Sequence, residues 1–208
     1  HEALQSDENI NIQFTVNGNT NLKNYSRISF VNNLYIDYFG DFNTIQSTID
    51  LFSKHIKYLN LTENHIGAEG AKNLKLPDGI THLNLCGNGI GAAGAKNLKL
   101  PLGITHLNLF HNSIGAEGAT NLKLPDGIKE LNLSYNQIGN AGAKNLKFYT
   151  EDGKIKTLEH SEITVLNLSR NQIGAEGAKN LKLPIGIKKL DLSSNDIDDE
   201  GAKNLKLP

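Results

Sequence analysis

A block of 24 residues recurs six times between residue 56 and the end of this 208-residue chain, restarting at Ile56, Ile80, Ile104, Ile128, Ile163 and Ile187. Four of the five steps are 24 residues; the step from Ile128 to Ile163 is 35, so 11 extra residues sit there. A fixed period of this length specifies a solenoid, in which each unit packs only on its neighbours. Each copy carries about six sizeable apolar side chains, worth roughly 2 kcal/mol each when buried. Ordering its backbone costs about 1–2 kcal/mol per residue. One unit therefore cannot fold alone, and stacking must supply the difference.

The clearest copy opens Ile80-Thr81-His82-Leu83-Asn84-Leu85-Cys86-Gly87-Asn88-Gly89-Ile90-Gly91. Leu83 and Leu85 alternate with polar residues, the period of a short strand with one face on the core. Asn64, Asn88, Asn112, Asn136, Asn171 and Asn195 follow the strands, where an inward amide satisfies buried backbone groups as the chain turns. The glycine of the next Ile-Gly pair permits a turn with positive φ. Gly-Ala-Lys-Asn-Leu-Lys-Leu then predicts a short helix, with Glu69, Glu117, Glu176 and Glu200 in its first turn. Glu69 with Lys72 and Glu176 with Lys179 form i,i+3 pairs. Pro77, Pro101, Pro125 and Pro184 are expected to stop the helix. Each unit returns to a new strand in the same direction, so the expected fold is α/β: a right-handed solenoid with a parallel sheet on the concave face and short helices on the convex face.

The pattern Leu-x-x-Leu-x-Leu-x-x-Asn-x-Ile followed by Gly-x-x-Gly-Ala-x-x-Leu resembles the leucine-rich-repeat family, in particular its ribonuclease-inhibitor-like branch. The resemblance covers residues 56–208. The period here is 24 residues against about 28 in that branch, which implies shorter outer helices. The near-identical Gly-Ala-Glu-Gly-Ala-Lys-Asn-Leu-Lys-Leu-Pro copies and the Asn/Lys-rich composition also resemble leucine-rich-repeat effectors that intracellular bacterial pathogens deliver into host cells.

Residues 1–55 are read as an N-terminal cap with a degenerate first repeat. Val31 to Ile36 repeats the strand spacing, and Phe42, Ile45, Ile49 and Phe52 fall at a helical period. Ile10 to Val16 alternates and is expected to pair near Arg27 to Phe30, closing one end of the core. At the other end the sequence stops at Pro208 just after a helix, which suggests a longer parent protein. The insertion, residues 148–162, holds Asp152-Gly153 between two apolar-polar stretches, a hairpin signal.

Net charge is −1, from 21 basic and 22 acidic residues, so no overall field attracts nucleic acid or an anionic membrane. The single cysteine, Cys86, excludes an intrachain disulfide and suits a reducing compartment: the host cytosol for a secreted effector, the cytoplasm otherwise. No apolar run reaches the roughly 18–20 residues of a membrane span. No basic-then-apolar leader opens the sequence, but it begins at His1 and contains no methionine, so its true start is expected upstream.

Function has to be read from the positions that vary. The outer helix barely changes between copies, whereas the strand and the turn after it change freely. One solvent-facing row reads Tyr58, His82, His106, Glu130, Val165, Lys189; the next is Asn60, Asn84, Asn108, Asn132, Asn167, Asp191, expected to hydrogen-bond along itself. Then come Thr62, Cys86, Phe110, Ser134, Ser169, Ser193, and after them Glu63, Gly87, His111, Tyr135, Arg170, Ser194. Varied side chains on a constant frame suit a protein-binding surface, and aromatic and arginine anchors concentrate at Phe110, His111, Tyr135 and Arg170. With the Tyr58, His82, His106 and Glu130 row these form the expected partner-binding set, on a monomer that binds another protein, possibly a host one.

Other chemistry fares worse. His82, His106 and Glu130 carry zinc-ligand types, but a flat ladder offers no closed cage. Asp196, Asp198, Asp199 and Glu200 lack calcium-loop spacing and read as a helix start. Rows of lysine along the outer helices read as a solvated face. No Gly-x-Ser-x-Gly, phosphate loop or His-Glu-x-x-His is present and Cys86 has no evident base, so the chain is expected to be non-enzymatic and without a cofactor. Some ribonuclease-inhibitor-like proteins activate small GTPases, which makes that activity the rival reading, alongside an endogenous scaffold. Arg27 and Arg170 are the only arginines, and neither is marked as a transition-state group.

Overall fold

The protein's computed structural model describes residues 11–16, 31–38 and 41–208. Ahead of the repeats lie strands β1 (Asn11–Val16) and β2 (Asn33–Tyr38) and helix α1 (Phe42–Phe52). The repeats follow as β3 (Tyr58–Asn60), α2 (Gly67–Asn73), β4 (His82–Asn84), α3 (Gly91–Asn97), β5 (His106–Asn108), α4 (Gly115–Asn121), β6 (Lys123–Pro125), β7 (Glu130–Asn132) and α5 (Gly139–Lys144). After them come β8 (Lys147–Tyr149), β9 (Ile155–Thr157), a 3-10 turn at Leu158–His160, β10 (Val165–Asn167), α6 (Gly174–Asn180), β11 (Lys189–Asp191) and α7 (Asp199–Asn204).

Eight strands form one sheet in the order β1-β2-β3-β4-β5-β7-β10-β11, every neighbouring pair parallel. Helices α2 to α7 lie on the other side, so the architecture is the expected α/β solenoid. The strand leucines enter the core between the two layers: Leu59, Leu83, Leu107, Leu131 and Leu166 are at most 2% exposed. The first strand pairs with Asn33–Tyr38; the segment Arg27 to Phe30, expected as its partner, lies outside the described residues.

The recurring asparagines form a buried ladder that welds repeat to repeat. Asn112 Nδ2 donates to Leu85 O at 2.8 Å and Leu109 O at 3.1 Å, while its Oδ1 accepts from Asn88 N at 3.1 Å and Ile90 N at 3.3 Å. Asn88, Asn136, Asn171 and Asn195 repeat this arrangement. A backbone group buried without a partner costs about 1–3 kcal/mol, so each rung is worth several hydrogen bonds.

The outer layer is thin because it must be. A Cβ on Gly118 would lie 2.9 Å from Ala92 Cα on the preceding helix and 2.7 Å from Ile114 Cγ2. Glycine at that position lets adjacent helix backbones approach.

Two local expectations are corrected. Helices α2, α3, α4 and α6 begin at the Ile-Gly glycine and end at the asparagine: α2 is Gly67–Asn73, and Leu74 is already extended, with ψ 121°. Proline therefore does not stop them. Asn73 Nδ2 donates to Glu69 O at 2.9 Å, and the Leu-Lys-Leu that follows has a strand's period of two. In the third and fourth repeats this stretch becomes strands β6 and β8, which pair in parallel; β9 adds antiparallel to β8, making a small three-stranded sheet. The Asp152-Gly153 hairpin forms, closed by Thr150 N to Lys154 O at 3.0 Å, with Gly153 at φ +77°. Five residues separate β8 from β9, and Thr150 Oγ1 also accepts from Lys154 N at 3.0 Å.

Candidate functional site

Strands β3, β4, β5 and β7 bring Tyr58, His82, His106 and Glu130 into cross-strand register. With Val165 and the asparagines Asn84, Asn108, Asn132 and Asn167 they line a shallow groove of about 350 Å³ on the inner face. The His82 and His106 rings stack, 3.9 Å between centroids and 12° apart in plane. Each ring is fixed from behind. Thr81 Oγ1 lies 2.9 Å from His82 Nδ1 and Thr105 Oγ1 2.8 Å from His106 Nδ1. The same hydroxyls lie within hydrogen-bond distance of the carbonyls of Lys57 and Thr81 respectively. Nδ1 of each ring is thus engaged by a threonine, which leaves Nε2 as the outward atom. His106 Nε2 faces Glu130 Oε1 at 3.5 Å, an ion pair only while the ring is protonated.

Burial holds the His82 imidazole below its ordinary pKa; the adjoining His106 ring pushes the same way and Glu130 partly offsets them. Tyr58 is pushed up by burial and then by Tyr35, whose ring centroid is 5.3 Å away. Stacked, parallel imidazoles do not converge on one point, and among the described residues no group of three His, Cys, Asp or Glu is placed to hold a metal ion.

The remaining four expected residues gather one strand-end away. Phe110 and Tyr135 ring centroids are 5.8 Å apart, His111 meets Tyr135 edge-on at 4.9 Å, and Arg170 Cζ sits 5.6 Å above the Tyr135 ring. His111, Tyr135 and Arg170 are exposed, and Phe110 is half-buried under them. The eight residues thus form two adjoining patches, divided by the asparagine row.

That row does not bond along itself. The Oδ1 of Asn60, Asn84, Asn108, Asn132 and Asn167 accepts the backbone N–H two residues on, at 2.9–3.0 Å. The Asn84 side chain also hydrogen-bonds the Tyr58 hydroxyl. The hydroxyls of Thr62, Ser134 and Ser169 add a second bond to the same oxygens. Ser134 and Ser169 are 3% and 8% exposed, so this row is framework at those two positions and not the variable surface expected of it. Cys86 and Phe110 lack such a hydroxyl, and only there does the row change chemistry. Burial, then Glu63, raises the Cys86 thiol pKa, which opposes thiolate formation.

Sequence reading missed two contributors. Tyr35 extends the aromatic line as a diagonal neighbour, since Tyr58 pairs with Asn33; its two-residue offset hid it. The second is the backbone. Positions flanking each ladder asparagine have φ between +52° and +68°: Glu63 and His65, Gly87 and Gly89, His111 and Ser113, Tyr135 and Gln137, Arg170 and Gln172, Ser194 and Asp196. The two glycines of one copy were the available signal.

Six stretches of the chain, residues 52–75, 80–99, 104–123, 128–147, 161–182 and 187–206, match the leucine-rich-repeat family model. No curated protein matches the sequence. Domains of this family generally mediate protein–protein interaction and are typically non-enzymatic. With those six matches spanning more than half its length, the chain belongs to the leucine-rich-repeat family.

Proposed function

We propose that this protein is a recognition module that binds another protein through its inner sheet and the turns that follow the strands. One observation carries the reading. Among the described residues ten non-glycine residues occupy left-handed backbone positions, His111, Tyr135 and Arg170 among them, although Gly87 and Gly89 adopt the same conformation at the equivalent places. A side chain there costs roughly 1–2 kcal/mol of strain that glycine avoids. Large aromatic and cationic side chains held at that cost, exposed and mutually packed, have the composition of binding anchors.

The finer reading is a ribonuclease-inhibitor-like effector acting on a host protein in the reducing host cytosol. The near-identical repeats, the Asn/Lys-rich composition and the single cysteine support it. Affinity capture from eukaryotic lysate tests both levels, comparing wild type with Tyr135→Gly, which removes the ring while suiting the backbone. A host protein retained by the wild type and lost from the variant supports the reading; equal recovery with wild type and variant, or no specific capture, sinks it.

A further inference from the structure

On the outer flank Lys154, Lys156 and Lys182 are ion-paired with Asp152, Asp126 and Glu159, but a row of other lysines beside them is not. After each outer helix the chain runs Leu-Lys-Leu; Leu98, Leu122 and Leu124 are at most 2% exposed, so the period of two turns the intervening lysine outward. Lys75, Lys99, Lys123, Lys182 and Lys206 are exposed and Lys147 half-exposed. Among the described residues, no carboxylate lies within ion-pair distance of Lys75, Lys99, Lys123, Lys147 or Lys206. In the small sheet Lys123 is the direct cross-strand partner of Lys147. Like charges opposite each other in a sheet are destabilising, an arrangement that an anionic partner would relieve.

The exposed aliphatic residues add a second, independent mark. Leu102, Ile155, Ile185 and Leu207 are 48%, 58%, 83% and 70% exposed. Each lies within three residues of a lysine: Leu102 and Leu207 beside the unpaired Lys99 and Lys206, Ile155 and Ile185 beside Lys154 and Lys182, which pair with Asp152 and Glu159. Leu102 and Ile185 stand where two other repeats carry Asp78 and Asp126. On the small sheet, Ile155 pairs with Tyr149, and by strand alternation both share the outer face with Lys123 and Lys147. Lysines interleaved with exposed aliphatic side chains and a tyrosine suit the headgroup region of an anionic bilayer, where charge meets phosphate and short apolar groups enter between headgroups. A nucleic-acid surface would call instead for arginine and open stacking platforms, and this flank has no arginine.

We propose that the outer flank centred on β6, β8 and β9 docks on an anionic lipid surface, leaving the inner face free for its protein partner. The test is co-sedimentation of the full chain with vesicles of 30% phosphatidylserine in phosphatidylcholine, against pure phosphatidylcholine vesicles and duplex DNA. Each near-surface lysine is worth about fivefold in partitioning. Lys99→Gln with Lys123→Gln and Lys147→Gln should weaken binding about 100-fold with no loss of thermal stability, the melt rising slightly as the Lys123–Lys147 repulsion is removed. Raising NaCl from about 0.1 to 0.5 M should release the wild type, a readout that needs no variant. Leu102→Ser with Ile155→Ser should cost a further several-fold. Equal binding of the wild type to both vesicle types overturns the proposal. So does binding to DNA at least as tight as to phosphatidylserine vesicles with no response to the serine variants, which would mark a general polyanion contact.

Discussion

The second repeat and the fourth share a backbone and differ in what they show to solvent. Gly87-Asn88-Gly89 and Tyr135-Asn136-Gln137 follow the same left-handed, ladder, left-handed course, and both asparagines make the same inter-repeat bonds. Yet one turn presents no side chain, whereas the other carries a ring packed by Phe110, His111 and Arg170. The ladder holds the path of the chain, so the flanking side chains are released from any structural duty. That division explains how nearly uniform repeats can carry a varied surface.

The comparison breaks first at the ladder. Asn112→Ala would leave the buried Asn88 and Ile90 N–H groups without their acceptor, while Leu85 O and Leu109 O each keep one amide donor, from Asn88 and Asn136; at about 1–3 kcal/mol per orphaned group the loss should reach about 2 kcal/mol or more. Chemical denaturation checks this; a loss below about 1 kcal/mol would show that water replaces the amide. Gly118→Ala comes next, at about 1–3 kcal/mol, because the added methyl meets Ala92 backbone at 2.9 Å.

Exchanging the two turns sharpens the contrast. Tyr135→Gly should leave stability within about 1 kcal/mol, since relief of left-handed strain offsets the lost ring contacts, while partner capture falls away. Gly87→Ala should destabilise by about 1 kcal/mol and leave capture intact.

The smallest effect is one of pH. Burial lowers the His82 pKa, so in the unfolded chain this group takes up its proton first on acidification. Its contribution is whole above the unfolded value near 6.5 and falls away as pH drops from there toward the depressed folded value. Glu162, lowered chiefly by its hydrogen bond to Lys129, acts in the same direction at lower pH: its stabilisation is present above the unfolded carboxylate value and is lost as pH falls through the folded one. Melting temperature against pH should therefore decline in two shallow steps, and His82→Gln should remove only the upper one.

Much of this was legible without coordinates. The period, the strand leucines and the inward role of the ladder asparagines follow from spacing and residue type alone. The Tyr58, His82, His106 and Glu130 row was legible too, because a constant 24-residue offset becomes a cross-strand neighbour in any stacked repeat. Ser134 and Ser169 were misread as free surface because their hydroxyls are taken up by Asn132 and Asn167 two residues earlier, a contact that requires the strand's actual bend. The helix ends were misread because Asn73 and its equivalents bond back to the helix and the alternation after them favours extension.

Sequence alone determined the repeat, the parallel sheet and the identity of the variable positions, because each depends on local pattern and on one fixed offset. Only the tertiary structure decided that the asparagine row splits the variable set into a groove and an aromatic cluster, that Tyr35 joins the line, and that Lys123 faces Lys147 on a separate small sheet. Those facts rest on register, backbone sign and ring orientation between segments 23 or more residues apart. Such contacts are settled by packing energy across the whole stack, which no single repeat contains.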